Sequence, residues 1–150
     1  MKNLLASLLL LAGLMTATAC KKETTNIAPV QPTLGTFSGS QQVPVVTSAA
    51  TGTITGTYDK TAMVLTYTVT FTGLTPIGAH LHMGAPGANG GIFYVFPFNN
   101  ATGDGFVSPI TGTKQLTMDQ NTALLNHGVY ANLHTMTYKG GEIRADMTVN

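Results

Sequence analysis

The chain has 150 residues, and its seven Lys or Arg side chains nearly balance six Asp or Glu, for a formal net charge of +1. Positive charge is not clustered and no aromatic residues are interleaved with it, so the electrostatic signature of a nucleic-acid-binding protein is absent and no nucleic-acid partner is expected. Residues 34–150 have the commonest size of a single domain and suffice for one hydrophobic core.

Residues 1–19 have the three-part layout of an export signal. Lys2 supplies a basic start, residues 4–14 form an apolar run, and small residues stand before Cys20. A membrane-spanning helix needs about 20 apolar residues, and this run is much shorter. The pattern therefore predicts a signal peptide that is removed during export.

The segment Ala17-Thr18-Ala19-Cys20 resembles the lipobox of bacterial lipoproteins, in which the cysteine receives a diacylglycerol group and becomes the new N-terminus. Cys20 is the only cysteine in the chain, which excludes an internal disulfide and favours lipid attachment. The alternative is an ordinary thiol behind a conventional cleavage after Ala19. We expect a protein anchored by lipid to a membrane of the bacterial cell envelope.

Residues 20–33 are predicted to be the lipidated cysteine and a flexible tether, since they are polar, contain Pro29 and Pro32 and show no apolar periodicity. The charged stretch Lys21-Lys22-Glu23 resembles the segment behind the lipidated cysteine in many lipoproteins of the Bacteroidota. This resemblance favours the outer membrane, at its periplasmic or surface face. The folded domain is predicted to span residues 34–150.

From residue 34 onward, apolar residues alternate with polar ones over short runs bounded by glycine, a pattern typical of β-strands. Residues 51–58 and 63–71 flank a turn at Asp59-Lys60-Thr61 and predict an antiparallel hairpin. Further strands are predicted over residues 34–40, 77–83, 91–96, 105–116 with a break at Pro109, 129–134 and 141–149. About eight short strands imply an all-β sandwich or barrel.

One short helix is predicted over residues 118–127, with Asp119 as its N-cap and Gly128 as its stop. His127 falls at the C-terminal end of this helix, where the helix dipole favours a partly charged imidazole. No further role is expected for His127.

These strands and the residues between them resemble a CHRD domain, a module first described in chordin and found widely in bacterial exported proteins. The resemblance covers nearly all of residues 34–150 and implies an immunoglobulin-like or superoxide-dismutase-like antiparallel β-sandwich, without a settled biochemical activity. The motifs that carry it are Ser38-Gly39-Ser40-Gln41-Gln42-Val43-Pro44, Gly78-Ala79-His80-Leu81-His82, Tyr130-Ala131-Asn132-Leu133-His134-Thr135 and Gly141-Glu142-Ile143-Arg144.

The residues most suited to chemistry are three histidines. His80 and His82 are two apart in a predicted strand, so their imidazoles project to the same side at a separation of roughly 7 Å. His134 lies in a later strand and is the candidate third ligand. Imidazole is the usual ligand of copper or zinc, and three imidazoles with an open position describe a catalytic or electron-exchanging site.

This arrangement resembles the copper side of Cu/Zn superoxide dismutase, where a His-x-His strand is also joined by a histidine from a late strand. The chain has no histidine-rich, Asp-containing loop between His82 and His134 and no cysteine pair. Dismutase activity is therefore not expected.

A second interpretation of the three histidines stays open, in which they form a buried hydrogen-bond network with Asn132, Glu142 and Thr135. Glu142 and Arg144 share one face of a predicted strand. They are expected either to surround a metal site together with Asn132, fixing a histidine tautomer, or to form an exposed ion pair.

Other function classes find little support. The glycine-rich loop at residues 83–91 is followed by a strand and lacks a terminal Lys, so it does not predict nucleotide binding. No Gly-x-Ser-x-Gly motif and no close carboxylate pair are present, so enzyme activity is not expected. The predicted function is a binding or adhesion module for an unknown protein or glycan; the alternative is copper or zinc binding, with redox activity as one possibility.

Overall fold

The computed structural model of the chain describes residues 32–149. Two four-stranded antiparallel sheets pack face to face, with strand orders β1-β2-β3-β6 and β5-β4-β7-β8. The elements are β1 (Thr33–Phe37), a 3-10 turn (Gly39–Gln41), β2 (Thr51–Asp59), β3 (Val64–Thr72), β4 (Gly78–Met83), β5 (Gly91–Val95), β6 (Ile110–Gln115), α1 (Met118–Leu125), β7 (Val129–His134) and β8 (Ile143–Asp146). The predicted all-β sandwich of about eight strands with one short helix is confirmed.

The predicted signal peptide, Cys20 and nearly all of the predicted tether lie outside the described residues. Within residues 32–149, no helix has the length and apolar character needed to cross a membrane.

The first hairpin forms where the alternating sequence predicts it. Strands β2 and β3 pair in antiparallel register, with Ile54 opposite Val69. The Asp59 carboxylate accepts hydrogen bonds from the backbone N–H groups of Thr61 and Ala62 at 2.9 and 2.8 Å, which closes the turn. The side-chain period of two then sends one face of each strand into the core and leaves the threonine-rich face outside.

The hydrophobic core fills the space between the two sheets. Strands from both sheets contribute side chains that are fully shielded from solvent: Ile54, Val69, Leu81, Ile110, Leu133 and Ile143. Full burial of a Val, Leu or Ile side chain contributes about 1.5–3 kcal/mol each. The core therefore fixes which face of each strand points outward, including the faces of β4 and β7.

Several elements begin or end a few residues from their predicted bounds: β1 ends at Phe37, α1 at Leu125 and β8 at Asp146. Two further differences have a clear physical cause. Strand β6 begins at Ile110 rather than near residue 105. The side chains of Asn99 and Asn100 hydrogen-bond to the backbone of residues 105–107 and hold this segment in a loop. The N-cap of α1 is Thr117, not Asp119: its hydroxyl accepts from the Gln120 N–H, and the Gln120 side chain accepts from the Thr117 N–H. This capping box satisfies two helix donors at once, which Asp119 inside the first turn cannot do.

Candidate metal centre

Strands β4 and β7 are neighbours in the second sheet, and their register gathers the three predicted histidines. His80 lies opposite Asn132, His82 opposite Tyr130, and Gly78 opposite His134. The residues between them, Ala79, Leu81 and Leu133, point into the core, so the imidazoles share the outer face of the sheet. One ring nitrogen from each histidine lies within 4.8 Å of the others.

His82 is held in one orientation from two sides. Its Nδ1 lies 2.9 Å from the backbone oxygen of Gly90, and its ring stacks on Tyr130 with the centroids 4.6 Å apart and the planes 7° from parallel. A carbonyl oxygen only accepts, so Nδ1 must carry the hydrogen. In the neutral ring, Nε2 then presents a lone pair, directed towards Asn132 Oδ1 at 3.0 Å.

His134 repeats the same arrangement on the next strand. Its Nδ1 donates to the backbone oxygen of Lys139 at 2.8 Å, so its Nε2 also presents a lone pair. That Nε2 lies 3.0 Å from His80 Nδ1 and 2.9 Å from Asn132 Oδ1. Two ring nitrogens without hydrogens therefore face one small space, which is the arrangement that backbone carbonyls impose on metal-binding histidines.

His80 completes the cluster and, like His134, is half-buried, whereas His82 is buried. It packs edge-on against His134, with centroids 4.7 Å apart, over Gly78; a Cβ atom on Gly78 would lie 3.4 Å from the His80 ring. Burial, followed by the nearby rings of His134 and His82, lowers the pKa of His80 to about 4. Burial also lowers the pKa of His134, although its bond to the Lys139 carbonyl opposes this.

Both lowered pKa values keep these imidazoles neutral at pH 7, as metal ligands must be. Two nitrogens bound to one copper or zinc ion at about 2.0–2.1 Å are at most roughly 4 Å apart. The three ring nitrogens lie within 4.8 Å of one another, which is close to this limit. Small side-chain adjustments therefore suffice to bring all three to bonding distance of one ion. The residues present therefore fit a copper or zinc ion.

Arg144 reaches the cluster indirectly. Its guanidinium is fully buried, lies 3.5 Å over the Tyr130 ring, and pairs through Nε with Asp146 at 2.7 Å. Its other nitrogens donate to the backbone oxygens of Ala88 and Ala85 at 2.8 and 3.0 Å. Arg144 thus packs against Tyr130, whose ring stacks on His82, and holds in place the loop that carries the Gly90 carbonyl.

Glu142 also acts on the backbone rather than on an imidazole. Its carboxylate accepts from Thr135 at 2.6 Å and from Ser48 at 2.8 Å, which fastens the segment immediately after His134. Within residues 32–149, neither Glu142 nor Arg144 hydrogen-bonds a histidine. Of the three residues expected around the site, Asn132 alone contacts the rings directly.

Three partners of the histidines were not predicted from the sequence: the Tyr130 ring and the backbone oxygens of Gly90 and Lys139. Tyr130 carries a sequence signal, because it is two residues before Asn132 and four before His134 and so shares their face of β7. The two carbonyl groups carry none, since their positions depend on how the loops fold back over the sheet.

Comparison with known proteins gives one match. A family model described as CHRD domain matches residues 35–147, which include the three histidines and every residue that contacts them. No curated protein and no solved structure matches the chain.

The metal-free protein is expected to lose stability as the pH falls from about 6.5 towards about 4. Because the pKa values of His80 and His134 are lowered in the folded state, the unfolded chain binds more protons in this window, and acid favours unfolding. Urea denaturation in a chelating buffer at pH 7 and about pH 4.5 measures the change.

His80→Gln is expected to flatten this pH dependence, whereas His127→Gln, a change outside the cluster, leaves it as it is. An equally steep loss of stability in His80→Gln and the unmodified chain would contradict this account of the cluster.

Proposed function

Since the chain belongs to the CHRD domain family, whose match contains the histidine cluster, we propose that it binds a copper or zinc ion through His80, His82 and His134. The observation that carries this proposal is the pair of Nδ1–H bonds to backbone carbonyls. They leave the Nε2 lone pairs of His82 and His134 beside His80 Nδ1.

The donor set favours particular ions. Three neutral imidazoles suit copper and zinc, whereas magnesium and calcium prefer carboxylate and carbonyl oxygens. A bound ion would supply Lewis acidity or, in the case of copper, one-electron redox chemistry. The chain's own backbone fixes the tautomers of His82 and His134, and burial favours neutral rings at His80 and His134. We propose binding rather than catalysis.

A binding or adhesion role towards a protein or glycan remains the other predicted function. The described surface offers it only scattered support: Ile92 and Val95 on the edge strand β5 are 53% and 57% exposed, and Phe98 nearby is 50% exposed. Single exposed apolar side chains are ordinary on protein surfaces and specify no ligand. The convergence of three ring nitrogens is more specific, so metal binding is placed first.

We propose further that the chain is exported and anchored by a lipid on Cys20 in the bacterial outer membrane. The lipobox-like sequence and the absence of any second cysteine support this. Cys20→Ser is expected to abolish incorporation of labelled palmitate and to move the protein from the membrane fraction to the soluble fraction. Unchanged labelling and membrane retention of Cys20→Ser would show that the anchor lies elsewhere.

The metal proposal is tested with the full chain purified in detergent, stripped by a chelator and dialysed against Cu(II) or Zn(II). One ion per chain is expected for the unmodified protein, with a Kd at least tenfold higher for His82→Ala and for His134→Ala, because each removes a ligand. A bound ion at 100 times its Kd stabilises the folded state by about 2.7 kcal/mol, which raises the melting temperature.

His127→Ala is the matched control, because it removes a histidine outside the cluster and should bind as the unmodified chain does. Negligible uptake by the unmodified chain, or equal uptake by all four proteins, would sink the proposal.

A further inference from the structure

Asn132 lies at the centre of the histidine cluster, and in the observed orientation its side-chain oxygen faces hydrogen-bond acceptors instead of donors. Its side-chain oxygen lies 3.0 Å from His82 Nε2 and 2.9 Å from His134 Nε2. Both nitrogens carry lone pairs in the neutral rings, because both Nδ1 atoms donate to backbone carbonyls. The bare Nε2 of His134 accepts the hydrogen of His80 Nδ1, 3.0 Å away. No hydrogen lies between the Asn132 oxygen and either Nε2, however, which is unfavourable in a buried site.

A second imbalance lies directly beside the first. Gln42 is 95% buried, with 5% of its surface exposed, and its side-chain nitrogen has no hydrogen-bond partner among the described residues. An added Cβ atom on Gly141, whose φ is +118°, would press against this nitrogen and would lie 2.9 Å from the side-chain nitrogen of Asn132. The two amide nitrogens therefore border the same space, which Gly141 leaves open.

One rotation of the Asn132 amide removes the first imbalance and turns an acceptor towards the space of the second. The oxygen and nitrogen of an amide are nearly isosteric, and the hydrogen-bond network decides which end faces which partner. With the amide turned end over end, its NH₂ group directs one hydrogen to each imidazole Nε2, and His134 Nε2 shares its lone pair between Asn132 and His80 Nδ1–H. The Asn132 oxygen then faces the space that it shares with the unpaired nitrogen of Gln42.

We infer that the side-chain amide of Asn132, oriented by Gln42, donates a hydrogen bond to each Nε2 lone pair in the metal-free protein. These two hydrogen bonds, called the cap below, have to break before an ion binds. The second half of this inference rests on the proposed metal binding. Asn132 and Gln42 are positioning residues in this account: Asn132 occupies the two Nε2 lone pairs and keeps the rings aligned, and it weakens metal affinity by competing for the same lone pairs. The site is thereby selective for ions that bind imidazole strongly enough to displace the amide.

The cap is tested without metal by amide proton exchange, measured by NMR on the full chain in a chelating buffer. Both side-chain amide protons of Asn132 are expected to exchange at least tenfold more slowly than those of exposed asparagines. Gln42→Met removes the donor that orients the amide while keeping a side chain of similar length, so it should reduce this protection. Gln41→Met is the matched control and should preserve it, because the amide of Gln41 bonds the backbone of Thr36 and Asp146 and does not contact Asn132.

The release step is tested by titration of the same proteins with Zn(II). Asn132→Ala is expected to lower the Kd by about tenfold, because the ion no longer competes with two hydrogen bonds, although the metal-free variant is less stable. Gln42→Met should lower the Kd in the same direction and serves where Asn132→Ala does not fold.

Fast exchange of the Asn132 amide protons would overturn the cap. A higher Kd for both Asn132→Ala and Gln42→Met would overturn the release step, because it would mean that Asn132 assists binding of the ion. If no protein takes up metal, the proposed function fails on its own. The comparison of amide exchange between the unmodified chain, Gln42→Met and Gln41→Met still tests the hydrogen bonds of Asn132.

Discussion

Two backbone carbonyl groups determine what the histidine cluster can do. The oxygens of Gly90 and Lys139 accept hydrogen bonds from His82 and His134, respectively, and so place the ring hydrogens on Nδ1. Both Nε2 atoms are then acceptors directed at one space. With the opposite tautomers, His82 and His134 would present N–H donors to that space, and a cation would be repelled rather than bound.

The buried polar residues around the cluster hold these carbonyl groups in place. Arg144 fastens the loop before Gly90 through two backbone oxygens, and Glu142 fastens the segment after His134 through Thr135 and Ser48. Burial of a charge is costly unless it is compensated. Arg144 is compensated by its ion pair with Asp146 and by two backbone carbonyls, and Glu142 by hydrogen bonds from two hydroxyl groups. The two most buried charged residues thus hold loops in place and do not contact the histidine rings.

Much of this fold could be predicted from short-range patterns. The alternation in β2 and β3 and the turn at Asp59 specify the first hairpin, and the His-x-His spacing in β4 places two imidazoles on one face. His134 was found through its strand and the family motif, not through spacing. The helix N-cap was misplaced because Asp119 and Thr117 are both good caps, and the reciprocal bond from Gln120 decides between them.

The rest of the site could not be predicted because it depends on contacts between residues distant in sequence. Backbone oxygens have no sequence signature, so the carbonyl partners of His82 and His134 could not be predicted. Arg144 and Glu142 share a strand face, which suggested direct contact with a histidine, but their partners are set by loops that fold over that face. Gln42 approaches Asn132 only because Gly141 lacks a side chain.

The tautomers of His82 and His134 in the metal-free protein test this account most directly. Nitrogen-15 NMR of the imidazole rings at neutral pH distinguishes a nitrogen that carries hydrogen from one that does not. The account predicts that both rings carry their hydrogen on Nδ1 and have a bare Nε2. A hydrogen on Nε2 of either ring would contradict it, because the lone pair required for a cation would then be absent.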